Sequence, residues 1–192
     1  METDSGIEMA KPDPLARRLA IGDPGAPREL VERHRAELYR YTRALTGEAG
    51  MAEDAVQAAF EKAFAALGKY PAGRIEALAL RPWLYRISLN VVRNAWRDNR
   101  REVPVSEAPE PGEPSEMATG SKPEAWMDAL AALGRLPERQ RVAVTLRYLE
   151  DLPYAGISAA TGWPENTCKT LVRRGIGRLS QLLAEPDKKG DA

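Results

Sequence analysis

The run Arg81-Pro-Trp-Leu-Tyr-Arg-Ile-Ser-Leu-Asn-Val-Val-Arg-Asn-Ala-Trp-Arg-Asp-Asn-Arg-Arg101 has two contrasting faces when wound as a helix. At about 100° per residue, Leu84, Ile87, Val91 and Ala95 fall on one side. Arg86, Asn90, Arg93, Arg97 and Arg100 fall opposite, within an arc of roughly 100°. Tyr85, Leu89 and Trp96 line one shoulder of that arc, and Trp83 lies near the other. A solvated helix face mixes Glu with Lys. This one is nearly all Arg, with an amide in its middle and aromatics at its edges. Arg binds phosphate, and aromatic rings offer stacking surfaces to unpaired bases. The same pattern suits an amphipathic core helix with a basic outer face, so the run alone leaves both readings open.

Outward from this run, the charge balance needs local reading. The chain has 192 residues, with Lys+Arg and Asp+Glu equal at 28 each. A net charge of zero disfavours a nucleic-acid binder unless the charges are segregated. They are: 81–101 holds six Arg and one Asp, 102–123 five Glu and one Lys, and 165–178 four basic residues and one Glu. The single cysteine, Cys168, excludes an intrachain disulfide and a cysteine-cluster metal site. It falls on an apolar stripe and reads as a small buried thiol. One histidine, His34, lies among Glu32, Arg33 and Arg35 and reads as a solvated surface residue. No metal site and no cofactor is expected. No apolar run is long enough to cross a bilayer, and the start lacks the basic and apolar segments of a signal peptide, so a cytoplasmic protein is expected.

Upstream, residues 1–24 carry Pro12, Pro14 and Pro24 and read as a loose tail with one or two helical turns. Leu30, Val31, Leu38, Tyr41 and Leu45 recur at helical spacing and Gly47 stops the pattern. A second helix runs from Met51 to Leu67, with Glu53 and Asp54 at the positive end of its dipole. Gly68, Pro71 and Gly73 break it, and Pro82 suits the first turn of the helix that carries the Arg face. Residues 25–101 therefore read as a three-helix bundle.

Downstream, 102–122 is Pro- and Glu-rich with almost no large apolar groups, and reads as a flexible acidic linker. Residues 123–185 read as a four-helix domain, with 186–192 as a tail. Pro153–Thr161 and Pro164–Leu183, joined by Gly162-Trp163, form a helix-turn-helix pattern. Its second helix turns Cys168, Leu171, Val172, Ile176 and Leu179 inward. Its outward residues Glu165, Asn166, Lys169, Thr170 and Arg173 are types that bond base edges in the major groove. Arg174 and Arg178 can reach phosphates. A four-helix bundle with one basic helix remains the alternative at this level. The fold class is all-α, in two small helical domains.

Three segments in order resemble a known family. Ala52-Glu-Asp-Ala-Val-Gln57 with Phe60, Ala63 and Leu67 resembles conserved region two of the two-domain, extracytoplasmic-function type of bacterial RNA polymerase sigma factor. Arg81–Asn90 resembles the segment that opens and captures the minus-ten element. Leu136-Pro-Glu-Arg-Gln140, Leu146-Arg-Tyr148 and Leu152–Arg174 resemble region four, which reads the minus-thirty-five element. The resemblance covers roughly residues 28–184.

The resemblance implies roles. Glu53, Asp54, Gln57 and Phe60 contact core RNA polymerase. Asn90, with the loop Lys69–Leu80, recognises an unstacked minus-ten base. Arg86, Arg93, Arg97, Arg100 and Arg101 hold strand phosphates, with Trp96 beside them. Trp83, Tyr85 and Trp96 either stack on bases or pack in the core. The acidic linker threads toward the polymerase cleft, and an anti-sigma factor is an expected partner. No small-molecule substrate and no membrane insertion are implied. Leu171, Arg173 and Glu165-Asn166 depart from common family residues on the reading surface, so no promoter sequence carries over. The competing readings are a stand-alone helix-turn-helix regulator with an N-terminal partner-binding domain, and an enzyme using Glu53 and Asp54. Adjacent helical residues point about 100° apart, which sets the enzyme reading aside.

Overall fold

The computed structural model describes residues 13–102 and 123–184. Residues 103–122 of the acidic linker and both end segments, 1–12 and 185–192, lie outside the described residues, as do the side chains of 99–102, 123–125 and 184. The regular elements among the described residues are all helical, in the order α1 (Pro14–Ala20), α2 (Ala26–Thr46), α3 (Ala49–Leu67), α4 (Ala72–Glu76), α5 (Leu80–Glu102), α6 (Pro123–Gly134), α7 (Glu138–Val144), a π-helical turn (Thr145–Leu149), α8 (Tyr154–Thr161) and α9 (Glu165–Ala184).

The N-terminal unit is built on α2, α3 and α5. Gly47 ends α2 in the left-handed region, with its N–H on the Arg43 carbonyl at 2.9 Å. α3 turns inward Ala52, Ala55, Val56, Ala59, Phe60 and Ala63. Its small side chains let it pack closely on both α2 and α5. Each buried Leu of α2 and α5, such as Leu30, Leu38, Leu84 and Leu89, contributes roughly 1.5–3 kcal/mol.

In the C-terminal unit, α7 packs on α9 at Gly175. A Cβ there would stand 2.5 Å from Val144 Cγ2, so only glycine admits this approach. The turn between α8 and α9 is set by Gly162, at φ 76, whose N–H reaches the Ser158 carbonyl at 2.8 Å. The π-helical turn ends at Leu149 and is capped by Glu150, whose side chain enters the protein interior; Asp151, a non-glycine residue at φ 49, follows it.

The two units pack together. One apolar cluster holds Leu84, Tyr85 and Leu89 of α5 with Leu146, Leu152, Ile157 and Ala160. Ala44 of α2 joins a second cluster with Leu130, Leu133, Leu136 and Val144. α5 is therefore covered on three sides, by α2, α3 and α8.

Three expectations are corrected. The inward face of α5 is Leu84, Tyr85, Ser88, Leu89 and Val92, whereas Ile87, Val91 and Ala95 are half-buried. The second unit on the flank of α5 moves the buried arc. His34 is buried at 3% exposure, because Leu30, His34 and Leu38 repeat every four residues on the inward stripe of α2. Its charged sequence neighbours point elsewhere. Residues 14–24 are no loose tail: Asp13 caps α1 by accepting from Leu15 N at 3.0 Å, and Leu15 and Ala16 are buried. Arg18 then ties α1 to Asp23 and Glu29.

Candidate nucleic-acid interface

Helix α9 presents Glu165, Asn166, Lys169, Arg173, Arg174 and Arg178 to solvent. Thr170 is half-buried, and its hydroxyl donates to the Asn166 carbonyl at 2.9 Å. Cys168 is buried, and burial pushes its thiol pKa up, as suits an inert packing residue. Val172 is buried beside it, whereas Leu171 and Ile176 are half-buried. The Lys169 ammonium lies 5.7 Å from the centre of the Tyr154 ring on α8. Helix α9 is thus held from behind by apolar packing and keeps its charged side outward.

Helix α5 divides its Arg face. Asn90 and Arg97 are exposed, and Arg97 bonds the Asn94 side chain. Arg86 donates to the Ala159 carbonyl of α8. Arg93 donates from Nε to Glu138 at 2.8 Å, and its guanidinium lies 5.6 Å from the centre of the Trp163 ring. Trp96 is half-buried, with the Arg141 guanidinium 5.8 Å over its ring. The backbone at Arg100 and Arg101 continues the helix. Tyr85 is fully buried and meets Tyr41 edge-on at 4.9 Å, which makes it a packing residue. Trp83 is half-buried, 6.4 Å from Tyr70, whose ring carries the Arg74 guanidinium at 3.7 Å. This places an aromatic and cationic stack in the loop 69–80.

A groove of about 530 Å³ runs between α2 and α3. It gathers all four expected polymerase-contact residues, Glu53, Asp54, Gln57 and Phe60. Sequence reasoning missed the α2 wall, Val31, Arg35 and Tyr39. Their spacing of four residues was the available signal.

A further group lies where the units meet. The Glu150 carboxylate accepts from the Tyr85 hydroxyl at 2.6 Å and from Arg40 at 3.3 Å, with Arg81 at 3.9 Å. Arg81 also donates to the Glu150 carbonyl at 2.6 Å and to Glu37 at 2.8 Å. Burial pushes the Glu150 carboxyl up to about 7, against the lowering pull of Tyr85 and Arg40. Burial also acts on Glu37, but bonds from His34 and Arg81 outweigh it and hold that carboxyl below its ordinary value. Among the described residues, no group of three or more His, Cys, Asp or Glu side chains is arranged to hold a metal ion. No helix among them is long and apolar enough to cross a membrane.

Comparison with known proteins decides the family. The description Sigma-70 region 2 matches residues 30–102, and Sigma-70, region 4 matches residues 126–179. The RNA polymerase sigma-H factor of Pseudomonas aeruginosa is 30% identical over 183 residues, 88% of this chain and 92% of that one. The chain belongs to the sigma-70 family. Within it, several relatives are named as extracytoplasmic-function (ECF) sigma factors. The ECF RNA polymerase sigma factor SigE of Mycolicibacterium smegmatis is 32% identical over 164 residues, 82% of this chain. BldN of Streptomyces coelicolor is 28% identical over 175 residues, 89% of this chain. This sigma-70 chain spans 61% of the length of SigE and 65% of BldN. Among solved structures, the sigma factor RpoE of Bartonella quintana, in complex with the anti-sigma factor NepR, matches with a TM-score of 0.67 and 26% identity. That match covers 82% of this chain and 96% of the other.

Proposed function

We propose that this sigma-70 chain binds core RNA polymerase and directs promoter-specific initiation. In this reading region 2 recognises and melts the minus-ten element, and region 4 reads the minus-thirty-five element. The observation that carries it is the pairing of two surfaces in one chain: the α2–α3 groove around Glu53, Asp54, Gln57 and Phe60, and the exposed Glu165–Arg178 face of a helix-turn-helix. The chain supplies no catalytic group, and the polymerase does the chemistry. Asn90 takes the unstacked minus-ten base, and Arg86, Arg93, Arg97, Arg100 and Arg101 hold the strand, with Trp96 beside them. An anti-sigma factor is the expected protein partner, by likeness to the Bartonella quintana complex.

Run-off transcription with purified core polymerase on a promoter library tests the reading. Sequence-specific initiation above core alone is the expected result, and its absence overturns the proposal. A stand-alone regulator, by contrast, binds duplex DNA tightly without polymerase. Asn90→Ala should lose minus-ten preference and promoter opening together. If neither changes, Asn90 has no part in base capture.

A further inference from the structure

We propose that α1 is a positioning element for the loop Lys69–Leu80: it seats α4, and through α4 it sets how Tyr70, Arg74 and Trp83 are presented to an unstacked minus-ten base. This role rests on the reading of that loop as part of the minus-ten site. α1 lies before residue 30, where the match to Sigma-70 region 2 begins, so what it does follows from its own contacts.

The loop cannot hold its shape alone. α4 is five residues long, and helices shorter than about 12–15 residues are marginal in water without tertiary packing. Pro71 stands at its start and supplies no side-chain cap. Ile75 is its one buried residue, at 6% exposure, whereas Ala72, Gly73, Arg74 and Glu76 are exposed. Among the described elements, α1 is the one that packs extensively on α4. Leu15 and Ala16 of α1 are buried, and Leu19, Leu78 and Trp83 pack around the same apolar cluster. That cluster links α1 with the end of the loop and the first turn of α5.

α1 is anchored to α2 as well. Asp13, which caps α1, pairs with Arg33 of α2 at 3.4 Å. Arg18 pairs with Asp23 at 2.8 Å and with Glu29 of α2. Asp23 in turn accepts from Gly25 N at 2.8 Å, in the turn between the two helices. Such partly exposed pairs add little stability, but they fix the direction in which α1 leaves α2. α1 thus spans from the bundle to a short helix that has no other extensive support.

What it positions is a stack. The Arg74 guanidinium lies 3.7 Å over the Tyr70 ring, and Tyr70 lies 6.4 Å from Trp83. Arg74 sits on α4 and Trp83 on α5, so the spacing of cation and rings depends on where α4 rests. Stacking on a base depends on ring geometry. A loop that wanders therefore discriminates less among bases even while it still meets the strand.

The test uses holoenzyme assembled from the full chain and core polymerase. Its templates are the promoter recovered from the library and copies with single minus-ten bases replaced. Hydrogen exchange at Arg74, Ile75, Ala77 and Leu78, whose N–H groups bond the Pro71, Gly73 and Ile75 carbonyls, reads how firmly α4 is seated. The ratio of open-complex formation on the promoter to that on the replaced templates reads specificity. Leu15→Ala and Ile75→Ala should each speed exchange at these amides and lower the ratio about fivefold. The double variant should lose little more than either alone, since both unseat the same helix. Leu15→Met conserves volume and should behave as wild type. Leu45→Ala, a buried leucine near the C-terminal end of α2, should lower the melting temperature and leave loop exchange and ratio unchanged. If Leu15→Ala loses helix content, Leu19→Ala, at a half-buried position, is judged by the same criteria.

Unchanged loop exchange in Leu15→Ala overturns the proposal. So does an equal loss of ratio in Leu45→Ala, which marks a general effect of destabilisation. Arg74→Ala separates the positioning role from the reading beneath it. If Arg74→Ala loses the preference while Leu15→Ala and Ile75→Ala keep it, the positioning role alone fails. If Arg74→Ala keeps it too, the loop does not read the base, and both fall. If the wild-type holoenzyme gives no sequence-specific initiation, the sigma-factor reading fails and takes this role with it.

Discussion

The Tyr85 hydroxyl donates to the Glu150 carboxylate at 2.6 Å, joining residues 65 positions apart in the chain. Both side chains are buried, and Tyr85 also packs edge-on against Tyr41. A helix of the first unit is thus bonded to the residue that caps the π-helical turn of the second, at a buried point. Tyr85→Phe keeps the ring and removes the donor. It should destabilise the chain by about 1–3 kcal/mol, the cost of leaving a buried acceptor short of a partner. Urea unfolding checks this. A change below about 0.5 kcal/mol would show that the bond is replaced by water.

Folding stability should rise in mild acid. The Glu150 carboxyl, with an ordinary value of 4.5, is raised to about 7. A raised carboxyl pKa in the folded state means that its stabilising contribution is complete below about 4.5 and is lost as pH rises through about 7. At about 1.4 kcal/mol per unit, the swing is roughly 3 kcal/mol. The groups facing Glu150 are Glu37, Arg40 and Tyr41 from α2, and Arg81 and Tyr85 from α5, with His34 bonded to Glu37. Glu37 works the opposite way: its lowered pKa gives stability that is lost as pH falls, so pH 5.5–8 isolates Glu150 from it. Thermal melting across that range should show the fall, and Glu150→Gln should flatten it.

Gly175→Ala should cost about 1–3 kcal/mol, despite the better helix propensity of Ala, because its Cβ meets Val144 Cγ2 at 2.5 Å. The double variant with Val144→Ala should recover part of the loss. Additive losses would mean that α7 and α9 shift apart instead.

Lys169→Ala should leave stability within about 0.5 kcal/mol, since the side chain is exposed. In the polymerase-bound state it should cost about 1–3 kcal/mol of promoter binding and relax preference at one base position. A uniform loss across promoter sequences would identify a phosphate contact.

Much of this was legible in the sequence. The α2, α3 and α5 helices follow from apolar spacing, and the helix-turn-helix from Gly162 between two such stripes. The α2–α3 groove was half legible, because Glu53, Asp54, Gln57 and Phe60 sit within one helix while Val31, Arg35 and Tyr39 come from another. Periodicity describes a helix in isolation. It assigned Tyr85 and Leu89 to the shoulder of a polar arc because it could not register that α8 would lie there. It passed over Glu150 for the same reason: a lone Glu at the end of a helix reads as solvated, and only the π-helical turn carries it inside. His34 and α1 were misjudged on local polarity. The four-residue repeat from Leu30 to Leu38 and the Asp13-Pro14 start signal were both present.

The pairing of Arg93 with Glu138 bears on ionic strength. Contacts between arginine and phosphate weaken steeply as salt rises, because neutralising the strand releases its condensed counterions. Arg93 begins with a carboxylate already against it, and that ion pair, with side chains 30% and 42% exposed, is screened by the same salt. Added salt loosens the internal pair as well as the strand contact. Strand affinity of the isolated chain should therefore fall less steeply with salt than its arginine count suggests.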